Sequence, residues 1–213
     1  MTTTVAVLDY EMSNLRSATK ALERLGADVV LARGPGDGAD ADAVVLPGVG
    51  HFGEAMRRIR SQGLHELATD AGDRGVPVLG ICLGLQLLFE ESEESPGARG
   101  LGLIPGHVTR LRTERKLPQM GWNAVDWRPG SPMAPPGSAP ADATYYFVHA
   151  YAARPDEDEA VLGTAEYGEA FCAAAGRGSV MGVQFHPEKS STAGLALLER
   201  WLGWVRERVV AAA

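Results

Sequence analysis

The densest concentration of chemically useful residues is Pro77-Val-Leu-Gly-Ile-Cys82-Leu-Gly84-Leu-Gln86, where an apolar run meets a Gly-x-Cys-x-Gly turn and then a second apolar run. A strand turning sharply into a helix presents its central residue above the sheet edge, and small flanking residues let the chain make that turn. A cysteine there stands among the unsatisfied N–H groups of a helix start, which favour an anion, and the thiolate is the reactive form of the side chain. A lone buried cysteine is usually no more than a small hydrophobe; the paired glycines and the strand-turn-helix context set Cys82 apart. Cys172, within Ala170-Phe-Cys-Ala-Ala-Ala175, has no such setting and reads as structural.

A cysteine nucleophile needs a base, and the histidines on offer are His51, His65, His107, His149 and His186. His186 stands out within Gly182-Val-Gln-Phe-His186-Pro-Glu188. Pro187 biases the preceding residue toward an extended conformation, so that His186 and Glu188 can project to the same side of the chain. A carboxylate so placed can hold one ring nitrogen and fix the tautomer of the other, as the third member of a nucleophile-base-acid triad does. On this motif alone a capped strand end carrying surface polar residues remains an equal alternative.

The segment Pro47-Gly-Val-Gly-His-Phe-Gly53 contains a G-x-G-x-x-G string between a strand and a helix, the outline of a dinucleotide fingerprint. That reading fails on context. The first strand-to-helix turn, Asp9-Tyr-Glu-Met-Ser-Asn14, has no glycine, and the strand after the string ends in Cys82 where a ribose-binding acid belongs. The better use of Gly48, Val49 and Gly50 is a loop whose backbone N–H groups meet an oxyanion beside the nucleophile, with a further N–H from Leu83.

Positioning these residues at one edge requires a mostly parallel sheet, and the first half of the chain has the alternation that makes one. Strands are expected at Thr4–Asp9, Val29–Ala32, Ala43–Pro47 and Val76–Ile81. Between them, Leu15, Ala18, Leu22 and Leu25 share a helical face capped by Ser13 and ended by Gly26, and a second helical stretch runs from about 52 to 71 with Gly63 as an interruption. A helix from Leu83 to Glu91 follows the cysteine. After the loop Ser92–Gly100 come β-like runs at His107–Arg112, Trp122–Trp127, Thr144–Ala153, Val161–Glu166 and Ala170–Ala175, then Val180–Phe185 and an amphipathic helix over Leu195–Val210. Those β-like runs include antiparallel strands, and the proline-rich Pro129–Pro140 is a surface loop.

One α/β domain spanning residues 1–213 accommodates all of this. A net charge of −7 opposes a phosphate backbone, and no basic patch offsets it, so nucleic acid is not an expected partner. No apolar stretch nears the roughly 20 residues of a membrane span, and the opening Met1-Thr-Thr-Thr lacks the features of a signal peptide, which together point to the cytoplasm and to free thiols. No metal or organic cofactor is expected, because the histidines and acids show no ligand spacing.

Leu79-Gly-Ile-Cys-Leu-Gly-Leu-Gln86 together with His186-Pro-Glu188 resembles the class I, or triad, glutamine amidotransferases. Further strings, Pro47-Gly-Val-Gly-His-Phe52, Leu117-Pro-Gln-Met-Gly-Trp-Asn123, Tyr146-Phe-Val-His-Ala-Tyr151 and Gln184-Phe-His-Pro-Glu-Lys-Ser190, are similar to one branch, the glutaminase subunits of imidazole glycerol phosphate synthase in histidine biosynthesis. The similarity runs from Val5 to the last helix. It implies a flavodoxin-like fold, a Cys82–His186–Glu188 triad that hydrolyses glutamine, and substrate contacts at Gly50 and Gln86. It also implies a (β/α)8-barrel cyclase partner that receives the ammonia and makes imidazole glycerol phosphate, with an aminoimidazole carboxamide ribotide by-product.

Asn14, Trp122 and Lys189 are expected at the cyclase interface, Lys189 as an ammonium at the pocket mouth able to pair with a carboxylate across it and Trp122 as an apolar anchor beside it. Lys189 is one of only three lysines among 20 basic residues and directly follows the His-Pro-Glu motif. Glu11 and Ser13 depart from the family pattern, which has glycines ahead of Asn14, and this puts the local turn in question. Two other readings stand beside this one: a glutaminase serving a different synthase, such as those making anthranilate or pyridoxal phosphate, and a non-catalytic α/β interaction subunit.

Overall fold

The computed structural model describes residues 2–12, 15–136 and 143–212. Ser13, assigned above as a helix cap, Asn14, assigned to an interface, and the end of the proline-rich loop lie outside the described residues.

Five parallel strands form the heart of the molecule. β1 (Thr3–Leu8), β2 (Ala27–Ala32), β3 (Ala43–Gly48) and β4 (Val78–Cys82) come from the first half, and β13 (Val180–Val183) from near the end. They lie in the order β2-β1-β3-β4-β13, every neighbouring pair parallel. Their sequences are near-continuous apolar runs because both faces are covered, as parallel sheets require. Val5 and Val7 face one side with Val45, Leu79 and Val183, where α1 (Leu15–Arg24) and α5 (Ser191–Ala212) pack through Leu22, Leu198, Trp201 and Leu202. Ala6 and Leu8 face the other with Val44 and Leu46, against Phe52, Met56 and Ile59 of α2 (Phe52–Ser61) and Leu64 and Ala68 of α3 (Leu64–Asp73).

The helical stretch expected over 52–71 is interrupted at Gly63, as its sequence suggests: Gly63 adopts a left-handed φ of 71° between α2 and α3. The helix after the cysteine is shorter than expected: α4 is Leu83–Leu87, after which the chain turns into β5 (Glu91–Ser92). Beyond it the antiparallel part of the sheet is built from β6 (Gly106–Arg110), β8 (Asp126–Trp127), β10 (Tyr151–Pro155), β11 (Val161–Glu166) and β12 (Ala170–Arg177). β12 joins this part antiparallel to β13. The run Trp122–Trp127 divides between β7 (Gln119–Ala124) and β8, and Thr144–Ala153 divides between β9 (Thr144–His149) and β10. β7 and β9 pair only with each other, as a separate antiparallel ribbon.

This ribbon is joined to the edge of the main sheet that carries the motifs. The backbone N–H of His186 donates to Tyr146 O at 2.9 Å, and the N–H of Tyr146 donates to Ser190 Oγ at 2.9 Å. Among the described residues no helix is long and apolar enough to cross a membrane.

Candidate active site

Three adjacent parallel strands, β3, β4 and β13, end side by side. Gly48 pairs with Cys82, and Val183 pairs with Ile81, so the register brings the oxyanion-loop candidate, the cysteine and the His-Pro-Glu segment to one carboxyl edge. Open α/β sheets place ligand sites at this edge because loops leave the layer there.

Cys82 sits at the corner itself, with φ 56° and ψ −109°, a region that costs a non-glycine residue on the order of 1–3 kcal/mol. The flanking glycines permit the turn through close approach rather than through their own dihedrals. A Cβ on Gly80 would lie 2.6 Å from the backbone of Gly84, and a Cβ on Gly84 would run into the carbonyl of Leu46. They let three backbone segments approach, while the strained dihedral falls on the cysteine. Because α4 has only five residues, its dipole is small, and what it offers an anion is chiefly its first free N–H groups, Leu83 foremost.

His186 is buried, and its Nδ1 lies 2.8 Å from Glu188 Oε1, whose side chain is 4% exposed. With Nδ1 held by the carboxylate, Nε2 is the nitrogen left for the cavity. Burial opposes a charge on the ring, but Cys82 and Glu188 favour it more strongly, and the pKa is pushed up to about 9. Ser190 Oγ donates to His186 O at 2.6 Å and so fixes the backbone of the motif. The Cys82 sulfur also lies 3.9 Å from Val148 O and 3.8 Å from Gln184 Nε2.

A cavity of about 220 Å³ joins these groups; Val49, Gly50, Cys82, Leu83, Gln86 and His186 all line it, as does Lys189 at an exposed position. Gly48 lies just behind. A side chain there would strike the hydroxyl of buried Tyr10, which donates to Pro47 O at 2.7 Å and holds the root of the loop. Burial, and then the charge of Cys82, raise the Tyr10 pKa, so its proton stays on that bond. A larger cavity, about 550 Å³ between β7, β8 and β11, contains none of the candidate residues.

Two expected roles need revision in their details. The N–H of Val49 donates to Met12 O at 3.0 Å, so in this conformation it does not point at an oxyanion. Gln86 Nε2 is committed to Tyr151 O and to Gln184 Oε1, both at 3.0 Å, which leaves its oxygen as the atom available to a substrate. Trp122 does not line the cavity. It stands on β7, 56% exposed beside Met120 at 66%, and its ring meets Tyr146 edge-on. Glu11, the departure in the first loop, takes a φ of 62°, the conformation for which glycine is the default, and its carboxylate reaches Arg58 at 3.1 Å.

The motifs did not single out Gln184, and they gave His149 and Tyr10 no role. His149 is buried between Tyr151 O, 2.8 Å from Nδ1, and the Gln119 side chain, 3.0 Å from Nε2. Burial and the nearby His186 lower its pKa to about 4 against the pull of the Tyr151 carbonyl, so the ring is neutral and only one nitrogen carries a proton. Since Tyr151 O can only accept, that proton is on Nδ1.

The model of the glutamine amidotransferase class-I family matches residues 6–202. The chain belongs to that family. Among curated class-I relatives, the "imidazole glycerol phosphate synthase subunit HisH" of Moorella thermoacetica is 48% identical, over 95% of this chain and 95% of its own length. The proteins of the same name from Deinococcus radiodurans and Bacillus subtilis are 47% identical over 91% and 90% of the two chains, and 42% identical over 97% and 99%. Solved structures share the class-I fold at lower identity. One described as a glutamine amidotransferase superposes with a TM-score of 0.71 at 20% identity, covering 95% of this chain and 98% of that one. PurLQS from Thermotoga maritima gives 0.72 at 19%, covering 96% and 100%.

Proposed function

We propose that this chain is the glutaminase subunit of an imidazole glycerol phosphate synthase. The observation that carries the chemistry is the strained Cys82 facing one cavity together with the carboxylate-held imidazole of His186. The identities of 42–48% to subunits of that name, over nearly the whole of both chains, supply the choice of synthase.

In the proposed reaction the Cys82 thiolate attacks the carboxamide carbon of glutamine, and the oxyanion is received by Leu83 N–H and by a Gly48-Val49-Gly50 loop turned toward it. His186, protonated, gives its Nε2 proton to the amide nitrogen as the C–N bond breaks. Ammonia leaves, and the glutamyl group remains as a thioester. The neutral imidazole then takes a proton from water attacking the thioester, which releases glutamate and the thiolate. Glu188 keeps Nδ1 protonated throughout.

The ammonia would serve a (β/α)8-barrel cyclase partner. Support for a docking face near the site comes from Met120 and Trp122, exposed on the ribbon whose other strand borders the cavity, with Lys189 at its rim. Buried aromatic and apolar anchors of this kind dominate interface energetics. Mixing the chain with the cyclase and measuring glutamine-dependent synthesis tests the proposal; glutamine that is never hydrolysed in the complex would overturn it.

A further inference from the structure

We propose that Gln184 is a second donor acting on the reacting sulfur: its carboxamide N–H holds the Cys82 thiolate. This rests on the reading of Cys82 as the nucleophile and adds a residue to that site.

Gln184 follows β13, one position beyond the pair Val183 and Ile81, and therefore stands level with Cys82 on the neighbouring strand. Its own N–H is tied to Ala173 O at 2.8 Å, and the residue is completely buried. A primary amide in such a place is costly unless its polar atoms are used. Its oxygen accepts from Gln86 Nε2 at 3.0 Å, and its nitrogen lies 3.8 Å from Cys82 Sγ.

Which end of the amide faces the sulfur follows from the network. Tyr151 O is an acceptor only, so the Gln86 group 3.0 Å from it is the NH2. That NH2 requires the Gln184 oxygen at its second contact, and the Gln184 NH2 is left toward Sγ. The orientation is thus anchored on a backbone carbonyl two side chains away. A sulfur anion accepts such long N–H contacts, and the donor is neutral, so it favours the thiolate at any pH without adding a titrating group. Besides Cys82 itself, the titratable groups that face the sulfur or line its cavity are Tyr10, Glu94, His149, Tyr151, His186 and Lys189.

The test is alkylation of Cys82 by iodoacetamide in the full chain, followed by peptide mapping across pH, in wild type and Gln184→Met. Methionine fills the space without a donor. The expected result is a rate at neutral pH lower by about three- to tenfold and a rate profile displaced to higher pH. A folded Gln184→Met chain with the wild-type profile overturns the inference. If that variant fails to fold, the wild type decides: in glutamine-15N-labelled protein the Gln184 side-chain resonance should move with the same midpoint as the alkylation rate and be flat in Cys82→Ser. A resonance that ignores the titration overturns the inference equally. A Cys82→Ala chain that still hydrolyses glutamine would instead overturn the nucleophile reading itself.

Discussion

The backbone N–H of Val49 is spent on the carbonyl of Met12, 3.0 Å away in the loop that follows β1. The same N–H is the proposed oxyanion donor, so the described conformation has the nucleophile and base in place but lacks one donor. Gly48 and Gly50 flank Val49, Gly50 at φ 106°, and they let the intervening peptides rotate where bulkier residues would resist. The isolated chain should therefore hydrolyse glutamine slowly. The assembled, ligand-bound complex should be faster by about 10²–10³, the usual worth of one oxyanion donor. Steady-state glutamate release that differs by only a few-fold between the two would contradict this.

Cys82→Ala should abolish glutamine hydrolysis yet leave the partner cyclase active when an ammonium salt is supplied, because only the nitrogen source is removed. Cys172→Ala should have little effect. Burial pushes the Cys172 thiol up to about 12 against its bond to Ala174 O, so it is a packed, unreactive group. Equal losses at both cysteines would sink the assignment.

Glu188→Gln should slow turnover less than His186→Ala, since the first disturbs an orienting group and the second removes the proton carrier. A further consequence concerns stability. The folded pKa of His186 is raised, so its contribution is present below about 6.5 and lost as pH rises through about 9. Urea denaturation between those values should show a smaller decline in Glu188→Gln than in wild type; an unchanged slope would mean the carboxylate does not hold the charge.

His149 gives the opposite dependence. Its folded pKa is depressed to about 4 while the unfolded value is about 6.5, so its contribution is present above pH 6.5 and lost as pH falls toward 4. In denaturation experiments wild type should lose more stability over that interval than His149→Gln, by on the order of 2–3 kcal/mol. Parallel curves would show that the ring is protonated without cost.

Lys189→Ala and Trp122→Ala should weaken cyclase binding or ligand-stimulated turnover by about 1–3 kcal/mol while sparing iodoacetamide labelling of Cys82. Calorimetry showing unchanged affinity, with unchanged stimulation, would return both residues to ordinary surface roles.

Local rules in the sequence determined the strand-turn-helix at Cys82 and the strands alternating with helices, and they offered the pairing of His186 with Glu188 across Pro187 as one of two readings. Each depends on neighbours within a few positions: glycines that permit close approach, a proline that holds its predecessor extended, apolar runs covered on both faces. Only the tertiary structure decided that Gln184 stands level with Cys82, because parallel register between strands about a hundred positions apart leaves no trace in local pattern. It also decided that Val49 N–H is occupied by Met12, that Gln86 has spent its NH2, and that His149 is neutral. Those properties depend on hydrogen bonds and burial contributed by distant segments. The exposure of Trp122 was decided in the same way: β7 pairs only with β9, and that ribbon leaves the residue outside.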